Sequence, residues 1–257
     1  MQVQELPITI NNDLTKNVIQ IKNLHKKFGD HEVLKGVDLT INKGENVVVL
    51  GKSGTGKSVL IKCIVGLVIP DEGEIIVLDK NVQNIRGKEL NNVRIKTGFL
   101  FQSAALYDSM TVRENLDFPL RRSFKHFSAK EREDMILEEL NDVGLADAID
   151  KMPSELSGGM RKRIGLARTL ILKPEIMLYD EPTTGLDTIT SKEISELILA
   201  MQRKNKTSSI IITHDMACAK LTADRIVILK DGVIVAEGTY SSLENSEDGW
   251  VRSFFNN

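Results

Sequence analysis

Short apolar runs alternate with turns and with helical stretches along most of the chain. Residues 1–17 are polar and are expected to be flexible. Three strand-like segments follow, VIQIKNLHKKF, VLKGVDLTI and ENVVVLG, with turns predicted at Gly29-Asp30 and Lys43-Gly44. The next segment, KSVLIKCIVGLV, has the apolar period of a helix, with one face formed by Leu60, Ile61, Ile64 and Val65. EGEIIVLD and TGFLFQ then predict further strands.

The second half of the chain repeats this alternation after a helical middle. Residues 111–172 carry polar helical text such as SAKEREDMILEELNDVGL. The strand-like EIMLYDE and SIIITHD are then separated by the helical TITSKEISELILAMQRKN, and RIVILKDGVIVAEG predicts a hairpin that turns at Asp231-Gly232. Continuous apolar strands that alternate with helices indicate a parallel α/β core. The helical middle is therefore predicted to be an insertion into that core.

Composition and charge narrow the classes of protein that fit this pattern. The 257 residues, 41% of them hydrophobic, suffice for one large domain or two small ones with a core. A formal net charge of -2 lacks the basic excess of a protein that binds nucleic acid by charge. Cys63 and Cys218 lie far apart without metal-ligand spacing. We expect them to be small core residues in a reducing compartment, with a disulfide or sensor role as the alternative.

The sequence carries neither a transmembrane pattern nor a signal-peptide pattern. No apolar run approaches the roughly 20 residues that a membrane-spanning helix needs. The N-terminal text MQVQELPITINNDLTKN has neither the basic start nor the apolar core of a signal peptide. We therefore expect a protein that is soluble by itself and cytoplasmic, with any membrane role coming through a partner.

One segment matches a phosphate-binding loop at every fixed position. GKSGTGKS fits G-x-x-x-x-G-K-[ST] between a strand and a helix, and consists of Gly51, Lys52, Ser53, Gly54, Thr55, Gly56, Lys57 and Ser58. The glycines let backbone N–H groups close around phosphates, and the helix adds its positive N-terminal end. Lys57 is expected to reach the β- and γ-phosphates, and the Ser58 hydroxyl to ligate Mg²⁺. The loop therefore predicts a site for a nucleoside triphosphate.

Polar residues also end three other apolar strands. Asp180 and Glu181 follow IMLY, where the first acid can organise Mg²⁺ and the second can polarise the attacking water. His214 follows SIIIT, and Gln102 follows GFLF. Taken alone, each of these residues can be an ordinary strand end. The acids can simply be solvated, His214 can be a core or capping residue, and Gln102 can be an exposed amide. Beside a triphosphate, His214 would contact the γ-phosphate or position the water, and Gln102 would reach Mg²⁺ and the water.

A second anion-binding feature lies in the helical middle, in the text PSELSGGMRKR. Ser157 is placed to cap a helix that begins near Gly158, which leaves the N–H groups of Gly158 and Gly159 free to bind an anion. One chain thus carries two phosphate cradles, and its own nucleotide needs only one of them.

These motifs, in this order, resemble the ATP-binding subunits of ABC transporters over nearly the whole chain, from about Val18 to Gly238. GKSGTGKS resembles the Walker A motif, IMLYDE the Walker B motif and LSGGM the signature. Gln102 resembles the Q-loop glutamine, Asp187 the D-loop aspartate and His214 the switch histidine. Phe28 stands where the family places an aromatic residue that stacks on adenine, the alternative being a strand-end core residue.

The resemblance implies a fold. It is an α/β P-loop NTPase (RecA-like) core with an antiparallel β subdomain and an inserted α-helical subdomain, the ABC ATPase fold. The implied limits are 18–240 for the ATPase domain, about 18–102 and 173–240 for its catalytic core, about 103–172 for the helical subdomain, and 241–257 for a C-terminal tail.

The resemblance also implies partners and cofactors. Two copies of the chain would pack head to tail, with Ser157, Gly158 and Gly159 of one copy closing over the ATP held by the other. ATP, with Mg²⁺, would close the dimer and hydrolysis would open it. Two membrane permease subunits would receive the motion through a groove beside the Q-loop. The protein would then lie peripherally on the cytoplasmic side of the inner membrane, without a nucleic-acid partner.

Part of the sequence is similar to the phospholipid-transport ATPases of the Mla and Mce systems. The similar text is LFQSAALYDSMTVRENLDFPLR, Met160 in the signature, and the tail SEDGWVRSFFNN. It implies a lipid cargo at a bacterial inner membrane and, as further partners, small regulatory or Mce-type substrate-binding subunits. The apolar residues of the tail either fold back on their own chain or contact a partner, and they are Trp250, Val251, Phe254 and Phe255.

Other functions within and beyond transport fit parts of the sequence. A different cargo, such as an amino acid or a released lipoprotein, would use the same motifs. A soluble ABC ATPase of iron–sulfur cluster assembly is compatible in length, and the Q-loop text is what favours a transporter. A DNA-repair ATPase would need a long coiled-coil insertion, and a translation-factor ATPase would need two ATPase halves, which 257 residues do not hold.

Overall fold

The computed structural model describes residues 16–255 of the chain. The flexible segment predicted for residues 1–17 lies outside the described residues except for its last two positions. Within residues 16–255 the strands are, in chain order, β1 (Asn17–Phe28), β2 (His31–Asn42), β3 (Asn46–Leu50), β4 (Glu72–Val77), β5 (Lys80–Asn81), β6 (Thr97–Leu100), β7 (Ile176–Asp180), β8 (Ser208–Ile212), β9 (Arg225–Lys230) and β10 (Val233–Gly238). The α-helices are α1 (Lys57–Ile64), α2 (Gly87–Lys96), α3 (Val112–Ser123), α4 (Ala129–Asp142), α5 (Gly158–Leu170), α6 (Thr188–Asn205), α7 (Met216–Thr222), α8 (Tyr240–Glu244) and α9 (Gly249–Arg252).

The strands form two sheets. The first has the order β2-β1-β4-β5 and is antiparallel. The second has the order β10-β9-β3-β8-β7-β6, in which all strands except the edge strand β10 are parallel. Strands β3, β7 and β8 are buried along their whole length, as expected for parallel strands covered on both faces. The parallel α/β core and the antiparallel sheet predicted from the sequence are confirmed.

The predicted hairpin near the end of the parallel sheet is also present. Strands β9 and β10 pair antiparallel and are joined by Asp231 and Gly232 alone. Both residues have positive φ angles, 49° and 87°, which is the backbone of the two-residue turns that match the twist of a hairpin.

Helices α3, α4 and α5 form the helical insertion predicted for the middle of the chain. They pack around an apolar cluster of their own, whose buried members include Val112, Leu116, Leu120, Ile136, Leu140 and Ile164. Helices α3 and α4 each begin with a capping box, formed by Thr111 with Glu114 and by Ser128 with Glu131. Each box satisfies backbone N–H groups that a helix start otherwise leaves unpaired. The limits of this subdomain stay a prediction.

Two larger clusters fill the two faces of the parallel sheet. The first lies between the two sheets and takes in the predicted apolar face of α1, including Leu60, Ile61 and Ile64. The second lies on the opposite face, under α6 and α7. Cys63 belongs to the first cluster and Cys218 to the second. Burial raises their thiol pKa to about 12 and about 11, so both are inert core residues near neutral pH.

The C-terminal tail packs on its own chain. Val251 and Phe255 are buried in the second cluster, and Trp250 and Phe254 pack against it while half-buried. The ring of Phe255 meets Tyr240 edge to face, with 5.1 Å between centroids. A partner contact on the outer side of this tail stays a prediction.

Helices α2 and α7 were not predicted from the apolar pattern of the sequence. Helix α2 buries Val93 but none of its other residues, so its sequence shows no apolar stripe. Helix α7 is seven residues long and depends on Asp215, whose side chain accepts hydrogen bonds from the N–H groups of Ala217 and Cys218.

Candidate nucleotide-binding site

The phosphate loop connects β3 to α1 as the motif predicts. Gly56 has a φ of 101° and a Cβ placed on it would lie 2.9 Å from the carbonyl oxygen of Val33. A Cβ on Gly51 would lie 2.5 Å from the carbonyl oxygen of Leu229. Neither position therefore has room for a side chain, and Gly56 also needs the positive φ that glycine adopts easily.

Lys57 lies inside this loop rather than on its surface. Its Nζ donates to the carbonyl oxygens of Gly51 and Lys52 at 2.7 and 3.0 Å, and lies 4.0 Å from Oε1 of Glu181. Burial lowers the pKa of Lys57, and the charges of Glu181 and Asp180 partly oppose that shift. The positive charge of this ammonium group therefore lies inside the loop, where it can neutralise a bound phosphate.

Ser58 and Asp180 form a direct contact at the end of β7. The Ser58 hydroxyl donates to Oδ1 of Asp180 at 2.8 Å, and the Asp180 side chain is buried. A hydroxyl, a carboxylate and the amide of Gln102 are oxygen ligands of the kind that Mg²⁺ prefers. Among residues 16–255, no group of three or more His, Cys, Asp and Glu residues is suited to hold a metal ion. Ser58, Asp180 and Gln102 supply oxygen donors whose chemistry fits a magnesium ion.

Glu181 has an unusual backbone and a specific side-chain partner. Its φ is +51°, in the left-handed region that only a few per cent of non-glycine residues adopt. Its Oε2 lies 2.8 Å from Nδ1 of His214 and accepts a hydrogen bond from the Thr184 hydroxyl at 3.2 Å. The Glu181 side chain is 13% exposed and that of His214 is 66% exposed. The carboxylate is thus held in place while the imidazole remains open to solvent.

These groups surround one cavity of about 520 Å³. Most of the residues predicted for the site from the Walker A, Walker B, Q-loop and switch motifs line it or touch its lining. The lining residues are Val33, Lys52, Ser53, Gly54, Gly56, Lys57, Ser58, Val59, Gln102, Glu181, Thr184 and His214. Thr184 was not predicted, although its position three residues after the strand-end acid is a local signal for a hydroxyl that orients it.

Phe28 is not among the lining residues. It ends β1 on the hairpin whose second strand carries Val33, which does line the cavity. The phenyl ring is 51% exposed, and Nζ of Lys26 lies 5.2 Å from its centroid. An exposed ring on this hairpin is compatible with base stacking, which stays a prediction.

The signature and the D-loop lie together, outside this cavity. Ser157 caps α5 by accepting from the N–H of Met160 at 3.2 Å, which confirms the predicted cap. Asp187 caps α6 by accepting from the N–H groups of Ile189 and Thr190.

The two helix starts are in contact. A Cβ on Gly158 would lie 3.4 Å from Leu186, and one on Gly159 would lie 2.7 Å from Cγ2 of Thr190. Ser157, Gly158, Gly159 and Asp187 therefore form one surface, and none of them lines the cavity at the phosphate loop.

A second, larger groove of about 580 Å³ lies beside the Q-loop, between α2, β6, α3 and α5. Its lining combines aromatic rings with cations, and includes Phe99, Phe101, Tyr107, Phe118, Arg94, Arg122 and Arg168. Within residues 16–255, no helix has the length and apolarity required to cross a membrane.

A glycine-rich loop between a buried strand and a helix, with acids at the end of a second buried strand of the same parallel sheet, defines a P-loop protein that binds a nucleoside triphosphate. Residues 34–184 match the ABC transporter family. The chain belongs to that family, and the part described here is an ABC-type ATPase domain.

Similar proteins from bacteria differ in the cargo that their names state. The probable ribonucleotide transport ATP-binding protein mkl of Mycobacterium tuberculosis H37Rv is 40% identical over 93% of this chain. The chain spans 66% of the length of that relative. The intermembrane phospholipid transport system ATP-binding protein MlaF of Haemophilus influenzae is 37% identical, over 94% of this chain and 91% of MlaF.

A solved structure agrees with the fold. The ATP-binding cassette MJ0796, in a dimeric post-hydrolysis state bound to ADP and Pi, is 34% identical with a TM-score of 0.78. The match covers 86% of this chain and 98% of that one.

Proposed function

We propose that this protein is the ATP-hydrolysing subunit of an ABC transporter that moves phospholipids or related lipids at a bacterial inner membrane. The proposal of ATP hydrolysis rests on the cavity in which the phosphate loop faces Glu181 and His214. The lipid cargo rests on the Q-loop text, on Met160, and on the similarity to a relative named for phospholipid transport. The relative named for ribonucleotide transport makes a different cargo the alternative.

The loop side of the cavity would hold the phosphates and a metal ion. Lys57 neutralises negative charge on the β- and γ-phosphates, helped by the loop N–H groups and the start of α1. Ser58, Asp180 and Gln102 would hold Mg²⁺. When bound, that ion offsets the negative charge of the phosphate oxygens.

The water is held by the opposite side. Glu181 accepts a proton from the water while the oxygen of that water attacks the γ-phosphorus. The bond between the γ-phosphorus and the bridging oxygen breaks in the same step. His214 contacts the γ-phosphate and, through the 2.8 Å approach of its Nδ1, keeps the Glu181 carboxylate turned toward the water.

The site is completed by a second copy of the chain. Ser157, Gly158 and Gly159 lie outside the cavity of their own chain, at the start of a thirteen-residue helix with free N–H groups. In a head-to-tail dimer this surface, together with Asp187, closes over the γ-phosphate of the ATP that the partner binds. The adenine of the bound ATP stacks on Phe28. ATP then favours the closed dimer because it contacts both chains.

The groove beside the Q-loop receives the permease. Its arginines and aromatic rings suit a helical segment with acidic and apolar side chains, one for each of two permease subunits. Binding there would place the protein peripherally on the cytoplasmic side of the inner membrane. Small regulatory or Mce-type subunits would complete the complex.

Purification of the full complex from membranes tests this function. Tagged protein would be isolated in detergent, with its subunits identified by mass spectrometry and its lipids extracted and quantified. The expected result is a permease together with more than background phospholipid, compared with the tagged chain purified without membranes. Recovery of an amino-acid or nucleotide-binding subunit in its place, with lipid at background, would contradict the lipid proposal.

A further inference from the structure

A buried lysine lies at the junction of three functional segments. Lys162 is on α5, five residues after the cap Ser157, and is only 6% exposed. Its Nζ donates to the carbonyl oxygen of Gln102 at 2.6 Å and to that of Glu181 at 3.2 Å. One side chain of the signature helix therefore holds the backbone of the Q-loop glutamine and of the strand-end acid together.

This contact belongs to a continuous row along α5. Lys162, Gly165 and Arg168 recur every three residues and so lie on one side of the helix. A Cβ on Gly165 would lie 2.8 Å from Cβ of Ala104, and Arg168 donates to the carbonyl oxygens of Ala104 and Ala105 at 3.1 and 2.7 Å. Helix α5 thus holds the loop after β6 at the carbonyl groups of Gln102, Ala104 and Ala105, which ties the position of the loop to that of the helix.

The hydrogen bond from Lys162 to the Glu181 carbonyl oxygen has the greatest consequence for the site. Glu181 has a φ of +51°, and its N–H donates to the carbonyl oxygen of Ile212 at 2.9 Å. Lys162 binds the other side of the same residue. The peptide geometry that turns the carboxylate toward His214 is therefore fixed on one side by the sheet and on the other by α5.

A buried ammonium group is costly unless its hydrogen-bonding capacity is used. Burial lowers the pKa of Lys162 to about 8, although the nearby charges of Glu181 and Asp180 oppose that shift. An apolar side chain would avoid this cost but would leave the carbonyls of Gln102 and Glu181 without this donor. The arrangement favours a role for the ammonium group beyond packing.

We propose that Lys162 is a positioning residue that couples the signature end of α5 to the water-orienting groups of the same chain. The inference rests on the proposed function, in which Ser157 meets the partner's ATP while Glu181 and Gln102 act on the chain's own ATP. Closure over one nucleotide then shifts α5, and Lys162 carries that shift to the other nucleotide site. Lys162 touches neither ATP directly in this account.

Steady-state ATP hydrolysis by the full chain tests the coupling, with Lys162→Met, Lys162→Arg and the matched control Lys130→Met. Lys130 is exposed on α4 of the same helical layer. For Lys162→Met we expect kcat to fall on the order of 10- to 100-fold, because small misplacements of positioning groups cost about that much. The KM for ATP should stay within about twofold, and the Hill coefficient should fall toward unity. Lys162→Arg should restore much of both, and Lys130→Met should match the unmodified protein.

Two outcomes would overturn the inference. One is a Lys162→Met variant with unchanged kcat and Hill coefficient. The other is equal loss in the Met and Arg variants while both keep the wild-type unfolding temperature, which would reduce Lys162 to packing. If the Met variant does not fold, Lys162→Gln replaces it, since an amide N–H keeps part of the contact, and the same two outcomes are judged on that variant. Glu181→Gln is measured in parallel: normal turnover there would show that Glu181 is not the base, independently of Lys162. Absence of ATP hydrolysis by the unmodified protein would contradict the proposed function itself.

Discussion

Oε2 of Glu181 lies 2.8 Å from Nδ1 of His214, across two strand ends that the sheet register brings together. Strands β7 and β8 pair in parallel, with Asp180 opposite Ile212, so the residues that follow each strand meet at the same edge. The acid and the imidazole of the proposed hydrolysis are therefore adjacent because of the fold, although they are far apart in sequence.

Replacing Glu181 by Gln should separate ATP binding from hydrolysis. The amide keeps the size of the side chain but cannot accept a proton from water, so turnover should fall by about 10²–10⁴-fold. ATP binding should remain, and an ATP-bound dimer should accumulate. Phosphate release and size-exclusion chromatography with ATP measure the two effects. Normal turnover in this variant would show that Glu181 is not the base.

Replacing Ser157 by Phe should block hydrolysis without weakening nucleotide binding to the isolated chain. Ser157 lies outside its own cavity, so its bulk would obstruct only a partner's nucleotide. Because Ser157 also caps α5, losing the cap should cost about 1 kcal/mol of unfolding free energy. Ser157→Thr is the control, since it keeps a capping hydroxyl. Weakened binding of a fluorescent ATP analogue to the isolated Phe variant would place the signature in its own chain's site.

Deleting residues 246–257 should destabilise the chain rather than its assembly. The deletion removes Val251 and Phe255 from the second core cluster, and two such buried side chains contribute on the order of 3–6 kcal/mol. Chemical denaturation measures the loss, with Arg252→Ala as a control at an exposed position of the same segment. A stable truncated chain that no longer associates with its partners would instead make the tail an interface.

Glu45 should contribute a pH-dependent part of the stability. Burial acts to raise its pKa, but hydrogen bonds from Arg225 and from the Asn42 N–H prevail and hold it below its ordinary 4.5. The contribution is therefore complete above pH 4.5 and is lost as the pH falls through the lower, folded-state pKa. Glu45→Gln should cost about 1–3 kcal/mol near neutral pH, as expected for hydrogen bonds to a charged group. Denaturation at about pH 7 and about pH 4 tests this, and an equal cost at both would contradict it.

The sequence predicted the parts of the fold that local patterns determine. Continuous apolar runs located the buried strands, and Asp231-Gly232 located the hairpin, because both depend on neighbouring residues. Helix α2 was missed because Val93 is its one buried side chain, so tertiary packing rather than an apolar stripe defines it.

The same division holds for the site. The loop from Gly51 to Ser58 is a contiguous motif, and its geometry follows from its text. Lys162 gave no signal because a lysine on a helix is usually solvated, and only the packing of α5 against the Q-loop buries it. Its partners are backbone carbonyl groups. Every residue has one, so the sequence does not show which residues accept these hydrogen bonds.

A mixed dimer tests whether each ATP site combines two chains. One chain would carry Lys57→Ala and the other Ser157→Phe, both in a Glu181→Gln background that retains bound ATP. If the signature acts on the partner's site, both defects fall in one site and the other is intact. One trapped ATP is then expected per mixed dimer, and none in either parent dimer. Mixed dimers that trap no ATP, although each chain is folded, would contradict a site shared between two chains.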